Sequence, residues 1–159
     1  MGQDKKIITI ALVVLLGVFL QVAFIFADIR DTPNKAVTEF VNAYVTFDRS
    51  MADRLCGDTL TVDGVDIVDA YIYKAKLEAK ERGYSLWYLK DCLFHPETHT
   101  VSMEADKARI AFHALRKRTL RNFFTKEKKN IEAVFNLVLE DGKWKICGNP
   151  FDLKSLAEG

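Results

Sequence analysis

The run from Ile131 to Glu140 ends on Asp141-Gly142, and the chain resumes at once with Lys143-Trp144-Lys145-Ile146. Asp-Gly between two alternating runs is the strongest short hairpin signal a sequence carries, because a tight turn of this kind needs positive φ at its central residues. A two-residue loop also fixes the register. Glu140 then faces Lys143, Leu139 faces Trp144, Leu137 faces Ile146 and Asn136 faces Cys147. Leu137, Leu139, Trp144 and Ile146 share one face, as a sheet packed on one side requires, while Cys147 points the other way.

The strands before the hairpin read in the same period of two. Ala108, Ile110, Phe112 and Ala114 alternate with Arg109 and His113; Leu86 to Phe94 reads as a strand broken by His95-Pro96, and Val101 and Met103 open another. Earlier in the chain the period is that of a helix. Thr32 can cap and Pro33 suits a first helical position, and Val37, Phe40, Val41, Tyr44, Phe47, Met51 and Leu55 form one stripe that Gly57 stops. A second helix is predicted from near Asp63-Gly64, with Val68, Tyr71, Ile72, Ala75 and Ala79 as its stripe and Gly83 as its end. Helix, helix, then an antiparallel meander makes an α+β class with the helices on one side of the sheet.

Ahead of all this, Ile7 to Ala27 is one apolar run with Gln21 as its single amide. A helix of that length reaches about 30 Å, the thickness of a hydrocarbon core, so the run predicts one transmembrane helix. A cleavable signal has a shorter apolar region and a small-x-small site, and Ile25 is bulky where that site needs a small residue. Lys5 and Lys6 before the run, against Asp28 and Asp31 around Arg30 after it, predict an N-terminus in the cytoplasm and the rest outside. The expected organisation is therefore a short tail (1–6), a transmembrane helix (7–27), a linker (28–32), one domain (33–153) and a tail (154–159). That is a single-pass, signal-anchored protein of the inner membrane with a periplasmic domain.

The net charge of +1 carries no nucleic-acid signature. Three Cys, at 56, 92 and 147, make no disulfide framework and no C-x-x-C; outside the cytoplasm one bridge is permitted, and the sequence does not say which pair would form it. His95-Pro96-Glu97-Thr98-His99 holds legitimate metal-ligand types, but Pro96 forbids the helical presentation that would aim both rings at one ion, so a solvated turn is the expectation and no metal is assigned.

The helix with Phe40 and Tyr44, the stretch Asp106-Lys107-Ala108-Arg109-Ile110, and above all Phe135 to Ile146 (FNLVLEDGKWKI) resemble the nuclear transport factor 2-like superfamily. The resemblance covers residues 33–148. It implies a cone of helices on a curved antiparallel sheet, a superfold that hosts isomerases, dehydratases, transport factors and assembly modules. Members that are membrane-tethered assembly components have the layout expected here. Enzymatic members use a carboxylate or His with Tyr donors inside the cone; Asp91, His113, Tyr71 and Tyr73 are the residues of those types, yet they form no motif, so no catalytic residue and no cofactor is assigned.

The segment from Arg116 to Lys129 is the most unusual outside the apolar run. Arg116, Lys117, Arg118, Arg121, Lys126, Lys128 and Lys129 surround Phe123 and Phe124, with Glu127 the one acid. Such a stretch suits an anionic lipid surface or the acidic face of a partner, and a solvated hairpin with its Phe pair tucked inward is the bland alternative. The sequence as a whole reads as an accessory or assembly subunit of a membrane complex, working by protein contacts with other subunits or as a homo-oligomer. The alternative is a ligand-binding protein or isomerase-like enzyme that uses the cone.

Overall fold

The computed structural model describes residues 10–22, 31–118 and 129–150. The chain divides into two compact units, Met1–Arg30 and Asp31–Gly159. In the first, a helix (α1) spans residues 10–22 and is exposed along its length. The transmembrane helix expected over 7–27 is not borne out: among the described residues no helix is long and apolar enough to cross a membrane. At 1.5 Å per residue α1 reaches about 20 Å, against about 30 Å of hydrocarbon. The signal anchor, the inner-membrane localisation and the periplasmic placement rested on that span and fall with it. Residues 1–9 and 23–30, where the expected ends of the span and most of the linker lie, are outside the described residues, as is the tail 154–159.

The second unit opens with α2, Pro33–Thr46, where the Thr32 hydroxyl accepts from the Lys35 N–H as its cap. The helix stops nine residues short of Leu55 because Phe47 turns left-handed (φ 55°), and a 3-10 turn, Arg49–Arg54, carries the rest of the stripe. A short helix α3 (Gly57–Leu60) leads into a two-stranded hairpin, β1 (Thr61–Val62) and β2 (Val65–Asp66). Asp63-Gly64 thus forms a hairpin turn (φ 52° and 79°) and not a helix start. The N-cap of α4, Ile67–Glu81, is Asp66, whose carboxylate accepts from the Val68 and Asp69 N–H groups. Both caps outrank the apolar stripe in setting where the helix begins.

A 3-10 turn, Leu86–Leu89, replaces the strand expected there. The main sheet follows as a four-stranded antiparallel meander in the order β3 (Asp91–Met103), β4 (Lys107–Arg118), β5 (Lys129–Glu140), β6 (Lys143–Cys147). His95-Pro96 does not end β3. The register shifts between Phe94 and Glu97, and because β3 is an edge strand the missing N–H of Pro96 costs the ladder little. The closing hairpin has the expected register, with Leu139 opposite Trp144 and Leu137 opposite Ile146, and positive φ at Asp141 and Gly142 (51° and 76°).

The class of this unit is α+β, with the apolar face of α2 on one face of the sheet. Val37, Phe40, Val41 and Tyr44 from α2 share one buried cluster with Ile110, Phe112, Phe135, Leu137, Trp144 and Ile146. Edge-to-face rings run through it, Phe40 to Phe135 at 5.9 Å and Phe112 to Phe135 at 6.5 Å. Asp31 locks α2 and the following turn to β6: its carboxylate accepts from the Trp144 N–H at 2.6 Å and lies 2.9 Å from Arg54 Nη1, while Arg54 Nε bonds Glu39 at 2.8 Å.

Candidate functional site

Four polar side chains converge on the helix-covered side of the sheet. Asp91, at the start of β3, is 1% exposed and ion-pairs with Arg116 of β4, through both Nε and Nη2. The register makes them neighbours, since Leu93 and not Asp91 sits directly across from Arg116. Tyr44 of α2 and Tyr71 of α4 stack with centroids 4.7 Å apart, and the Tyr71 hydroxyl donates to the Tyr44 carbonyl at 3.3 Å. Burial pushes the Tyr71 phenol far above its ordinary range, with Tyr44 adding to the shift, while Arg116 opposes it and Asp91 reinforces it. Burial raises Tyr44 too, against the hydrogen bond from Tyr71 and the charge of Arg116.

These shifts carry a sign. A phenol held neutral in the fold but free to ionise when unfolded makes the unfolded chain release protons first, so stability is intact below the unfolded value near pH 10 and falls as pH rises above it. Urea midpoints of the full chain should therefore drop between roughly pH 10 and pH 11.5, and Tyr71→Phe should flatten that drop. A wild-type midpoint constant across this range would contradict the burial of the pair.

Beside the cluster lies an open cavity of ≈ 840 Å³ that Tyr71 lines together with Val62, Ile67, Ala70 and Val138. Lys74, Asp58 and Glu140 add charge to its wall, and a disulfide between Cys56 and Cys147 completes it. The bridge resolves the cysteine question that the sequence leaves open, with Cys92 exposed and outside it.

Of the residues considered for chemistry, Tyr71 and Asp91 are brought together. Tyr73 is exposed on α4, and His113 lies on the opposite face of the sheet, its Nε2 3.6 Å from Glu132. The histidines of the 95–99 motif stand on a strand and not in a tight turn, His99 being 3.9 Å from Glu97. Within the basic segment, Arg116 and Lys117 lie on opposite faces of the sheet. Arg116 turns inward to Asp91, whereas Lys117 points outward with Nζ 4.3 Å from the centre of the Phe94 ring. Arg118 ends β4 and Lys129 begins β5; Arg121, Phe123, Phe124, Lys126 and Lys128 lie outside the described residues.

Sequence reasoning missed Arg116 as the partner of Asp91, and the Asp31–Arg54–Glu39 group. Charge alternation in β4 carried the first signal: Arg116 continues the inward series Ala108, Ile110, Phe112, Ala114. It also left unseen two uncovered apolar surfaces. One is the outer sheet face, with Phe94 and Val134; the other is an aromatic group, Tyr84, Trp87 and Tyr88, whose rings pack at 5.8 Å and 5.5 Å.

No protein-family model and no curated protein matches this chain. Among solved structures it is similar to a domain from Xanthomonas campestris assigned as a calcium/calmodulin dependent protein kinase II association domain, at 18% identity over 82% of this chain and 87% of that one, with a TM-score of 0.39. A likeness that loose carries no argument about what this chain does.

Proposed function

We propose that the second unit is an assembly module of the nuclear transport factor 2-like kind, an accessory subunit that works by protein contact and pairs first with a second copy of itself. The outer face of the four-stranded sheet supports this reading. Val134, in the inner strand β5, is 52% exposed and Phe94 on β3 is 42% exposed, with no described helix over them. An apolar side chain uncovered on an inner strand, with a second on the edge strand of the same face, points to a surface that a partner buries.

The same face is complementary to itself. Glu97, His113 and Glu132 form one cross-strand row, and His99, Ala111 and Val134 form the next. A two-fold axis along the strands, between β4 and β5, lays His113 of one copy over Glu132 of the other and Ala111 over Val134. In these two rows acid meets base and apolar meets apolar. The reading assigns no catalysis to the inward cluster, because the Asp91 carboxylate is engaged by Arg116 and is poorly placed to take a proton.

Sedimentation of the full chain tests this. The wild type should associate to a dimer, and Val134→Glu should weaken association roughly hundredfold, about 3 kcal/mol, by burying an unpaired carboxylate, with the circular dichroism unchanged. A wild type that stays monomeric, or a variant that associates as well, would overturn the reading.

A further inference from the structure

The Cys56–Cys147 pair is framed by bonds that do not depend on sulfur. The Cys56 N–H donates to the Ile146 carbonyl at 2.9 Å, Leu55 bridges Ile146 in parallel, and the Gly148 N–H donates to the Thr59 hydroxyl at 3.1 Å. These bonds hold the two Cα atoms, 5.2 Å apart and separated by 91 residues of sequence, next to each other whether or not the bridge exists. A third donor stands with them. A carboxylate oxygen of Glu140 and the two sulfurs all lie within 4.8 Å of one another. All three residues line the open cavity of ≈ 840 Å³.

We propose that this group is a second functional site, closed as a disulfide when oxidised and able to bind a divalent metal of the zinc class when reduced. A small dithiol supplies the two electrons and two protons that convert the bridge to two thiols and is itself oxidised to a cyclic disulfide. On binding, the two thiols release their protons to solvent and coordinate as thiolates, with one Glu140 oxygen as the third ligand. Two soft thiolates and one carboxylate suit Zn²⁺ or Co²⁺ and disfavour Mg²⁺ or Ca²⁺. Three protein ligands beside an open cavity leave the fourth position to solvent or to a small ligand, the pattern of an open zinc site. Lys145 Nζ, 3.3 Å from Glu140 Oε2, offsets the excess negative charge and leaves the other carboxylate oxygen for the ion. The inference stands on the β6 end of the sheet and is independent of the assembly reading.

The test uses the full chain, reduced with a dithiol, freed of it under anaerobic conditions and titrated with Co²⁺ alone. The expected result is one ion per chain, a near-ultraviolet thiolate-to-cobalt charge-transfer band, and its loss on adding Zn²⁺. Cys147→Ser should remove the band, Glu140→Gln should weaken binding roughly tenfold, and Cys92→Ser should change nothing. A reduced protein that keeps its circular dichroism but gives no band would overturn the proposal, as would a reduced protein that has lost its fold. So would a band removed by Cys92→Ser, or one unaffected by Glu140→Gln.

Discussion

Trp144→Ala is expected to cost about 3–5 kcal/mol of unfolding free energy, the range for emptying a core aromatic site. The indole is 5% exposed and sits across from Leu139, on the face that also carries Leu137 and Ile146. Its main chain is tied down as well, since the Trp144 N–H donates to Asp31, the carboxylate that meets Arg54. Loss of the ring therefore opens a void where β6, α2 and the 3-10 turn after it meet, a place with little freedom to collapse. Thermal unfolding of the full chain followed by far-ultraviolet circular dichroism should show a midpoint lower by roughly 10 °C or more. A fall of less than about 2 °C would mean that the hairpin register or the burial is wrong.

Arg116→Met is the second large effect. It leaves the Asp91 carboxylate, 1% exposed, in the core without its guanidinium, and breaking a buried pair from one side costs about 3–5 kcal/mol. The lower end is expected, because the Arg116 side chain is 27% exposed and water reaches part of it. The double variant Asp91→Leu, Arg116→Met should recover most of the loss, since a buried pair replaced by apolar side chains is often neutral or stabilising. Urea unfolding of Arg116→Met, Asp91→Leu and the double variant checks the cycle. A single variant as stable as the wild type would show that the two charges are not coupled in the folded protein. A double variant that associates normally would also show that the cluster serves the fold and not the contact.

The meander was legible because it rests on local rules. Asp141-Gly142 dictates its own turn, and the turn dictates the pairing of Leu139 with Trp144; Ile110 and Phe112 reveal their face by alternation alone. The helix limits were less so. Phe47 adopts a left-handed conformation that its side chain does not advertise, and Asp66 proved a better cap than the Asp63-Gly64 turn before it. Pro96 misled for a physical reason: a proline ends a central strand but not an edge strand, and strand order is a tertiary fact. The apolar run after Lys6 satisfies the length rule for a span, yet the helix described within it covers residues 10–22, short of that length.

The candidate sites were hardest to read because they join distant segments. Asp91 and Arg116 lie on different strands, and Cys56 and Cys147 are separated by nearly the whole domain. The basic stretch from Arg116 to Lys129 looked uniform as a string. On a strand, though, successive side chains alternate, so Arg116 enters the core while Lys117 covers Phe94 on the outer face.

The assembly reading stands or falls on whether the outer sheet face is buried between two copies. Hydroxyl-radical footprinting of the full chain across a concentration series reads this directly at Phe94 and Val134, with exposed Tyr73 on α4 as the internal reference. Oxidation of Phe94 and Val134 should fall severalfold as dimer forms while that of Tyr73 stays constant. Equal oxidation of all three residues at every concentration would contradict the account.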